Sequence, residues 1–248
     1  MSVADRSAGE KAKQQGGIWE TIKVVIEALL IALVFRTFLY HPFNIPSGSM
    51  EPTLLVGDYL FVSKFSYGYS RYSFPISLSF IHGRIWEGVP ERGDIAVFRP
   101  PREPGTDYIK RVIGLPGDKI QVQGGALFIN GKAVEREPAG EFGSDGFAKQ
   151  YRETLDSGVS YITLDSRDDS EGDNTRVFEV PPEHYFLMGD NRDNSQDSRF
   201  LNGPVGFVPA ENLVGRAEII FFSVDGAPAW AFWQWPWSVR PGRIFDLL

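Results

Sequence analysis

Between residues 41 and 229 no stretch of useful length repeats its apolar residues with a helical period; short apolar runs are punctuated by turn residues instead. The best strand candidates are DYLFVSKF (58–65), DIAVFRP (94–100), YIKRVIGL (108–115), KIQVQ (119–123), ALFIN (126–130), HYFLMG (184–189) and AEIIFFSV (217–224). Asn130-Gly131, between ALFIN and KAVERE, is a strong hairpin-turn signal. The 26 glycines and 17 prolines suit a turn-rich β architecture better than a helical bundle. Two stretches read as irregular. Residues 67–92 are aromatic and apolar without strand regularity, a candidate exposed apolar surface. Residues 137–176, with the acidic run DSRDDSEGDN, read as a solvated loop.

Ahead of this β-rich body, residues 1–17 are polar and small and are expected to be a disordered cytoplasmic tail. Ile18 to Tyr40 contains VVIEALLIALVF; as a helix it would be roughly 34 Å long, enough to cross a bilayer. Arg36, Thr37, Phe38, Leu39 and Tyr40 follow the apolar core where a cleavable signal needs small residues, so an uncleaved anchor is expected. Arg6, Lys11 and Lys13 favour a cytoplasmic N-terminus, which leaves the rest of the chain outside. At the other end, AWAFWQWPW (229–237) reads either as a membrane-interface element or as a Trp-rich piece of core.

Composition removes several chemistries. A net charge of -7 without any Lys/Arg run argues against nucleic acid as a partner. The absence of cysteine excludes disulfides, thiol nucleophiles and cysteine zinc sites. His41, His82 and His184 form no HExxH pair. Calcium-loop counts from Asp169, Asp190 and Asp193 all place wrong residues at required positions. No metal or other cofactor is expected.

Three segments carry candidate chemistry. In IPSGSMEPTLLVGD (45–58), Pro46, Gly48 and Pro52 make a constrained bend that presents Ser49 as a nucleophile, with its own N–H and the Ser47 hydroxyl as oxyanion donors. The same stretch also reads as a plain linker. Ile45 and its apolar neighbours are candidates to line substrate pockets. With no Gly-x-Ser-x-Gly elbow and no Ser-x-x-Lys pair, the base is either a histidine or a desolvated lysine. Lys110 lies inside the apolar strand DYIKRVIGL, on one face with Tyr108 and Val112, while Arg111 points to the other; a surface lysine on a half-exposed strand is the competing reading. Finally, MGDNRDNSQDSR (188–199) has the Asp, Asn and Ser density of a tightly hydrogen-bonded turn region. Asp197 and Arg199 are a candidate ion pair there, and Ser195 a hydroxyl for orienting an amine.

Taken together, SGSMEPTL (47–54), RGDIAVF (92–98), KRVIGLPGD (110–118) and GDNRDNSQDSR (189–199) resemble, in order, the boxes of bacterial type I signal peptidase. The resemblance covers most of residues 18–222. It implies a mostly β fold: an antiparallel, barrel-like catalytic domain (41–118 and 183–222) carrying an inserted smaller β domain (119–182), preceded by one transmembrane helix (18–40) and followed by a membrane-proximal segment (223–248). It implies Ser49 as acyl-enzyme nucleophile, Lys110 as general base, Ser47 as oxyanion donor and Ser195 as the lysine's orienting group. Asp197, Arg199, Asp190 and Arg111 would support the loop, and no cofactor would be used. The implied partners are membrane lipid and signal-peptide-bearing preproteins with small residues at the first and third positions before the cut. The implied setting is the bacterial inner membrane, single-pass, with the catalytic domain on the extracytoplasmic side, most simply as a monomer. A membrane-tethered, non-enzymatic β module binding exported proteins is the alternative; it would explain the anchor and the tryptophans but not the boxes together.

Overall fold

The structure is a computed structural model describing residues 3–74, 83–143, 146–226, 233 and 235–248, with side chains from residue 17 onward except at 236. It opens with helix α1 (Val3–Phe38), followed by β1 (Tyr40–Asn44), a short 3-10 turn at Gly48–Met50, β2 (Asp58–Ser63), β3 (Ile95–Phe98) and β4 (Tyr108–Gly114). Next come β5 (Lys119–Gln123), β6 (Ala126–Ile129), β7 (Lys132–Ala133), β8 (Glu135–Phe142), β9 (Ala148–Thr154), β10 (Ser160–Asp165) and β11 (Phe178–Glu179). β12 (His184–Met188), β13 (Val208–Pro209) and β14 (Leu213–Ser223) complete the strands.

Seven strands form one antiparallel sheet in the order β1-β2-β14-β3-β4-β12-β13. The strands between β4 and β12 form two smaller sheets, β11-β5-β6-β7 and β10-β9-β8. These are not insulated from the large sheet: Ile113, Phe186 and Met188 share one buried cluster with Ile120, Leu127, Leu155 and Phe178. A second cluster packs Ile45, Met50 and Leu54, flanking the Ser49 turn, against Leu60, Val97 and Ile220. The serine segment is therefore seated on core rather than strung across solvent.

Every strand candidate from the sequence overlaps an observed strand. Asn130-Gly131 makes the β6–β7 turn with φ of 53° and 80°, the left-handed pair that a two-residue hairpin requires. Two expectations need correction. Residues 137–176 are not a single loop, because β8, β9 and β10 lie largely within them. The strands EREPAGEF and AKQYRET are mostly charged, polar or small, so the apolar alternation that marks a half-buried strand is missing. The polar segment before residue 18 is helical from Val3, not a disordered tail, consistent with its Ala, Glu, Lys and Gln content.

Helix α1 ends at Phe38, and Tyr40 already belongs to β1. Among the described residues no helix is long and apolar enough to cross a membrane; Glu20, Lys23, Glu27 and Arg36 interrupt α1. Its apolar side chains are nonetheless exposed around the helix, as at Trp19, Val24, Leu29 and Ile31. Of the two aromatic stretches, residues 75–82, 227–232 and 234 lie outside the described residues. Trp233 and Trp237 are exposed, whereas the Trp235 ring packs 4.9 Å from that of Phe222.

Candidate active site

The turn that carries Ser49 leaves β1 and runs over the large sheet beside β4. Lys110, in β4, sits opposite Ala96 of β3, and its side chain is 3% exposed. Lys110 Nζ lies 2.5 Å from Ser49 Oγ and donates a second hydrogen bond of 3.0 Å to the Ile109 carbonyl. Burial holds the Lys110 ammonium down to about 8, against the pull of Asp197 and Asp190. The pair faces a cleft of about 360 Å³ lined by Phe43, Pro46, Ser47, Tyr108, Ile109 and Gln196, among others. Ile45 is not part of that lining; it is 2% exposed and belongs to the core beneath.

Beneath the pair lies a floor of buried ions. Arg111 holds Asp190 through two bonds, Nε to Oδ1 at 2.8 Å and Nη2 to Oδ2 at 2.6 Å. Its Nη1 donates to the Gly93 carbonyl at 2.8 Å, and its guanidinium stacks 4.2 Å from the Tyr161 ring. The Thr53 hydroxyl donates to Asp190 at 2.6 Å, tying the serine segment to this pair. Arg199 binds Asp197 through Nε and Nη2, both at 2.9 Å, and the Gly189 N–H donates to the same carboxylate. Burial alone would raise the Asp197 carboxyl; the Arg199 guanidinium outweighs it and holds the group below its usual range. A third pair, Arg192 with Glu153, is fully buried, with bonds of 2.8 and 2.5 Å.

The loop 189–199 closes onto the serine turn through Asn191. Its N–H donates to the Ser49 carbonyl at 3.2 Å and its side-chain amide to the Gly48 carbonyl at 3.0 Å. Gly189 makes that approach possible: a Cβ there would stand 2.5 Å from the Ser49 carbonyl and 2.3 Å from Ser195 Oγ. Ser195 is thus beside the serine turn, its hydroxyl directed at the Asp197 carboxylate, and among the described residues it makes no hydrogen bond to Lys110. Ser47 is exposed at the head of the turn, in extended conformation, without a capping bond. All eight sequence candidates (Ser47, Ser49, Lys110, Arg111, Asp190, Ser195, Asp197 and Arg199) therefore lie in the cleft or its floor. Sequence reasoning passed over Thr53, Gly93, Asn191 and Arg192, which sit inside the recognised boxes. It also passed over Glu153 and Tyr161, which sit in no box and carry no signal of their own.

Comparison with known proteins gives a consistent neighbourhood. The family model described as "Signal peptidase, peptidase S26" matches residues 18–222. A signal peptidase I of Rickettsia typhi is 45% identical, over 89% of this chain and 90% of the relative. That of Rickettsia prowazekii is 46% identical over the same shares, and that of Rickettsia massiliae 41% identical over 96% and 94%. A crystal structure of a signal peptidase I from Enterococcus faecalis V583 aligns with a TM-score of 0.31 at 28% identity, covering 52% of this chain and 96% of that one.

Proposed function

Since the chain belongs to the signal peptidase family, peptidase S26, and is accordingly a serine-type endopeptidase that removes signal peptides from preproteins, we propose that it does so through a Ser49–Lys110 dyad. The observation that carries this reading is the 2.5 Å contact between Lys110 Nζ and Ser49 Oγ, made by a lysine that burial keeps near pH 8. In its neutral form Lys110 takes the Ser49 proton as Oγ attacks the scissile carbonyl. The tetrahedral oxyanion is met by the Ser49 N–H and the Ser47 hydroxyl. As the C–N bond breaks, Lys110 returns the proton to the leaving amine, and the signal peptide remains as an ester on Ser49. Lys110 then deprotonates a water, which hydrolyses the ester and restores the enzyme.

Arg111–Asp190 and Arg199–Asp197 position rather than react: they hold the loop whose Asn191 fixes the Ser49 turn. Ser195, whose hydroxyl lies beside that turn and the Asp197 carboxylate, takes up a hydrogen bond to Lys110 as the lysine moves between its partners. Shallow apolar walls from Phe43, Tyr108 and Ile109 favour small substrate side chains.

We further assign α1 as a single-pass anchor in the bacterial inner membrane, with its N-terminus cytoplasmic and the catalytic body, as a monomer, outside. Its ring of exposed apolar side chains supports this, because among the described residues no protein surface covers them. Its charges need lipid headgroups or snorkelling to be accommodated. The reading is tested with detergent-solubilised enzyme and a preprotein bearing an Ala-x-Ala site. Cleavage by wild type and loss of it in both Ser49→Ala and Lys110→Ala is expected. Equal cleavage by either variant, with contaminating protease excluded, would overturn the dyad, and no cleavage by wild type would favour a binding module.

A further inference from the structure

Where α1 gives way to β1, a second polar pocket lies outside the catalytic cleft, and its charges do not balance. It encloses about 70 Å³ and is bordered by Arg36, His41, Lys64, Arg99 and Asp107. Asp107 is the one carboxylate bordering it among the described residues, and Arg99 already holds it at 3.1 Å. Lys64 is 5% exposed and makes no ion pair among the described residues; its Nζ donates to the Ser73 carbonyl at 2.5 Å. Arg36 has no hydrogen bond or ion pair among the described residues, and the buried Nδ1 of His41 has no partner.

A buried Lys64 beside Arg36 and Arg99 is costly, since desolvation and repulsion add and Asp107 offsets them only in part. The strain registers on both titratable groups. Burial, then Lys64 and Arg36, hold His41 down to about 4, and burial, then Arg36, hold Lys64 down to about 8, in both cases against the pull of Asp107. An anion seated between Arg36 and Lys64 would remove both costs and give the neutral imidazole an acceptor for its Nδ1–H.

We propose that this pocket binds a phosphate group, with Arg36 and Lys64 as its charge partners and His41 as a hydrogen-bond donor. Phosphate suits it because its several acceptor oxygens can meet an ammonium, a guanidinium and an imidazole at once. A phospholipid headgroup and free phosphate share that chemistry. The assignment does not depend on the peptidase reading, because none of Arg36, His41 and Lys64 takes part in the proposed reaction.

The test uses the full chain in maltoside micelles. Binding is measured by calorimetry with inorganic phosphate in one arm; in the other, retention of phosphatidylglycerol is compared with that of diacylglycerol of the same acyl chains. The His41 ring signal, followed by NMR, locates the event. Binding in either arm should shift that signal, and Arg36→Gln should weaken binding about tenfold, the loss of one charge-assisted contact. Arg36 is exposed, so this variant tests the site without disturbing the core; Lys64→Met, combined with it, should abolish binding. Retention of phosphatidylglycerol alone assigns the site to a headgroup, and binding of both ligands makes it a general phosphate site. Binding in neither arm, or binding unaltered by Arg36→Gln, overturns the proposal.

Discussion

Helix α1 and the floor of the Ser49–Lys110 cleft depart from the usual partition of side chains in opposite directions. On α1, Trp19, Leu29 and Ile31 face outward with half or more of their surface open. In the floor, Lys110, Arg111, Asp190, Arg192, Asp197 and Arg199 are each at most 5% exposed. The first arrangement is unfavourable in water but suits a lipid surround. The second is unfavourable anywhere unless each charge is matched, and here the matching is by geometry: two-bond guanidinium–carboxylate pairs at Arg111–Asp190, Arg199–Asp197 and Arg192–Glu153. Lys110 is the exception within the floor. It is buried beside a hydroxyl and a carbonyl rather than a carboxylate, and that lack keeps its amine titratable near neutrality. The contrast teaches that paired burial makes a scaffold, whereas unpaired burial leaves an amine that can lose its proton near neutrality.

The largest effect should come from unmatching a pair. Arg192→Ala would leave the Glu153 carboxylate buried with only Arg136, 3.8 Å away, as a counter-charge. A loss of about 3–5 kcal/mol in unfolding free energy is expected, read from urea melts. A loss under about 1 kcal/mol would show that the floor tolerates an unpaired charge and would break the comparison.

Next comes the pH dependence of cleavage. Only the neutral amine accepts the Ser49 proton, so activity should be full above the Lys110 pKa and fall as pH drops through about 8. Acylation measured in single turnovers should therefore decline about tenfold per pH unit below that point. A flat profile between pH 6 and 9 would mean that Lys110 is not the titrating base.

The smallest effect belongs to α1. Ile31→Gln, on an exposed face of the helix, should change the stability of the body by less than about 0.5 kcal/mol in urea. The same variant should nevertheless lower the share of the chain recovered with vesicles in a flotation assay. A stability change with unaltered flotation would mean that the helix face is covered by protein rather than lipid.

Much of the site was legible before any coordinates. The two segments that supply the dyad each contain a residue type out of keeping with its surroundings: a serine in a Pro/Gly bend, and a lysine within an apolar strand. Polar density marked the 189–199 loop, and side chains that bond their own backbone form such loops locally. The strands β8 and β9 were missed because they carry charged and polar residues where the pattern looks for apolar ones. The buried partner of Arg192 was missed for the same reason, since Glu153 lies in β9 among residues that read as solvated loop.

The sequence by itself determined the β-rich body, the Asn130-Gly131 turn and the apolar helix ahead of it, because these rest on local backbone preference and on residue type; the proposed Ser49–Lys110 pair it offered only through the resemblance of its boxes to signal peptidase. Only the tertiary structure decided that Ser49 and Lys110, 61 residues apart, meet at hydrogen-bond distance, and that Glu153 answers Arg192 across 39. It alone decided that the buried Lys64 bonds a backbone carbonyl rather than a carboxylate. Burial and pairing are properties of surroundings assembled from distant strands, and the charge state of a lysine follows from them rather than from its neighbours in the chain.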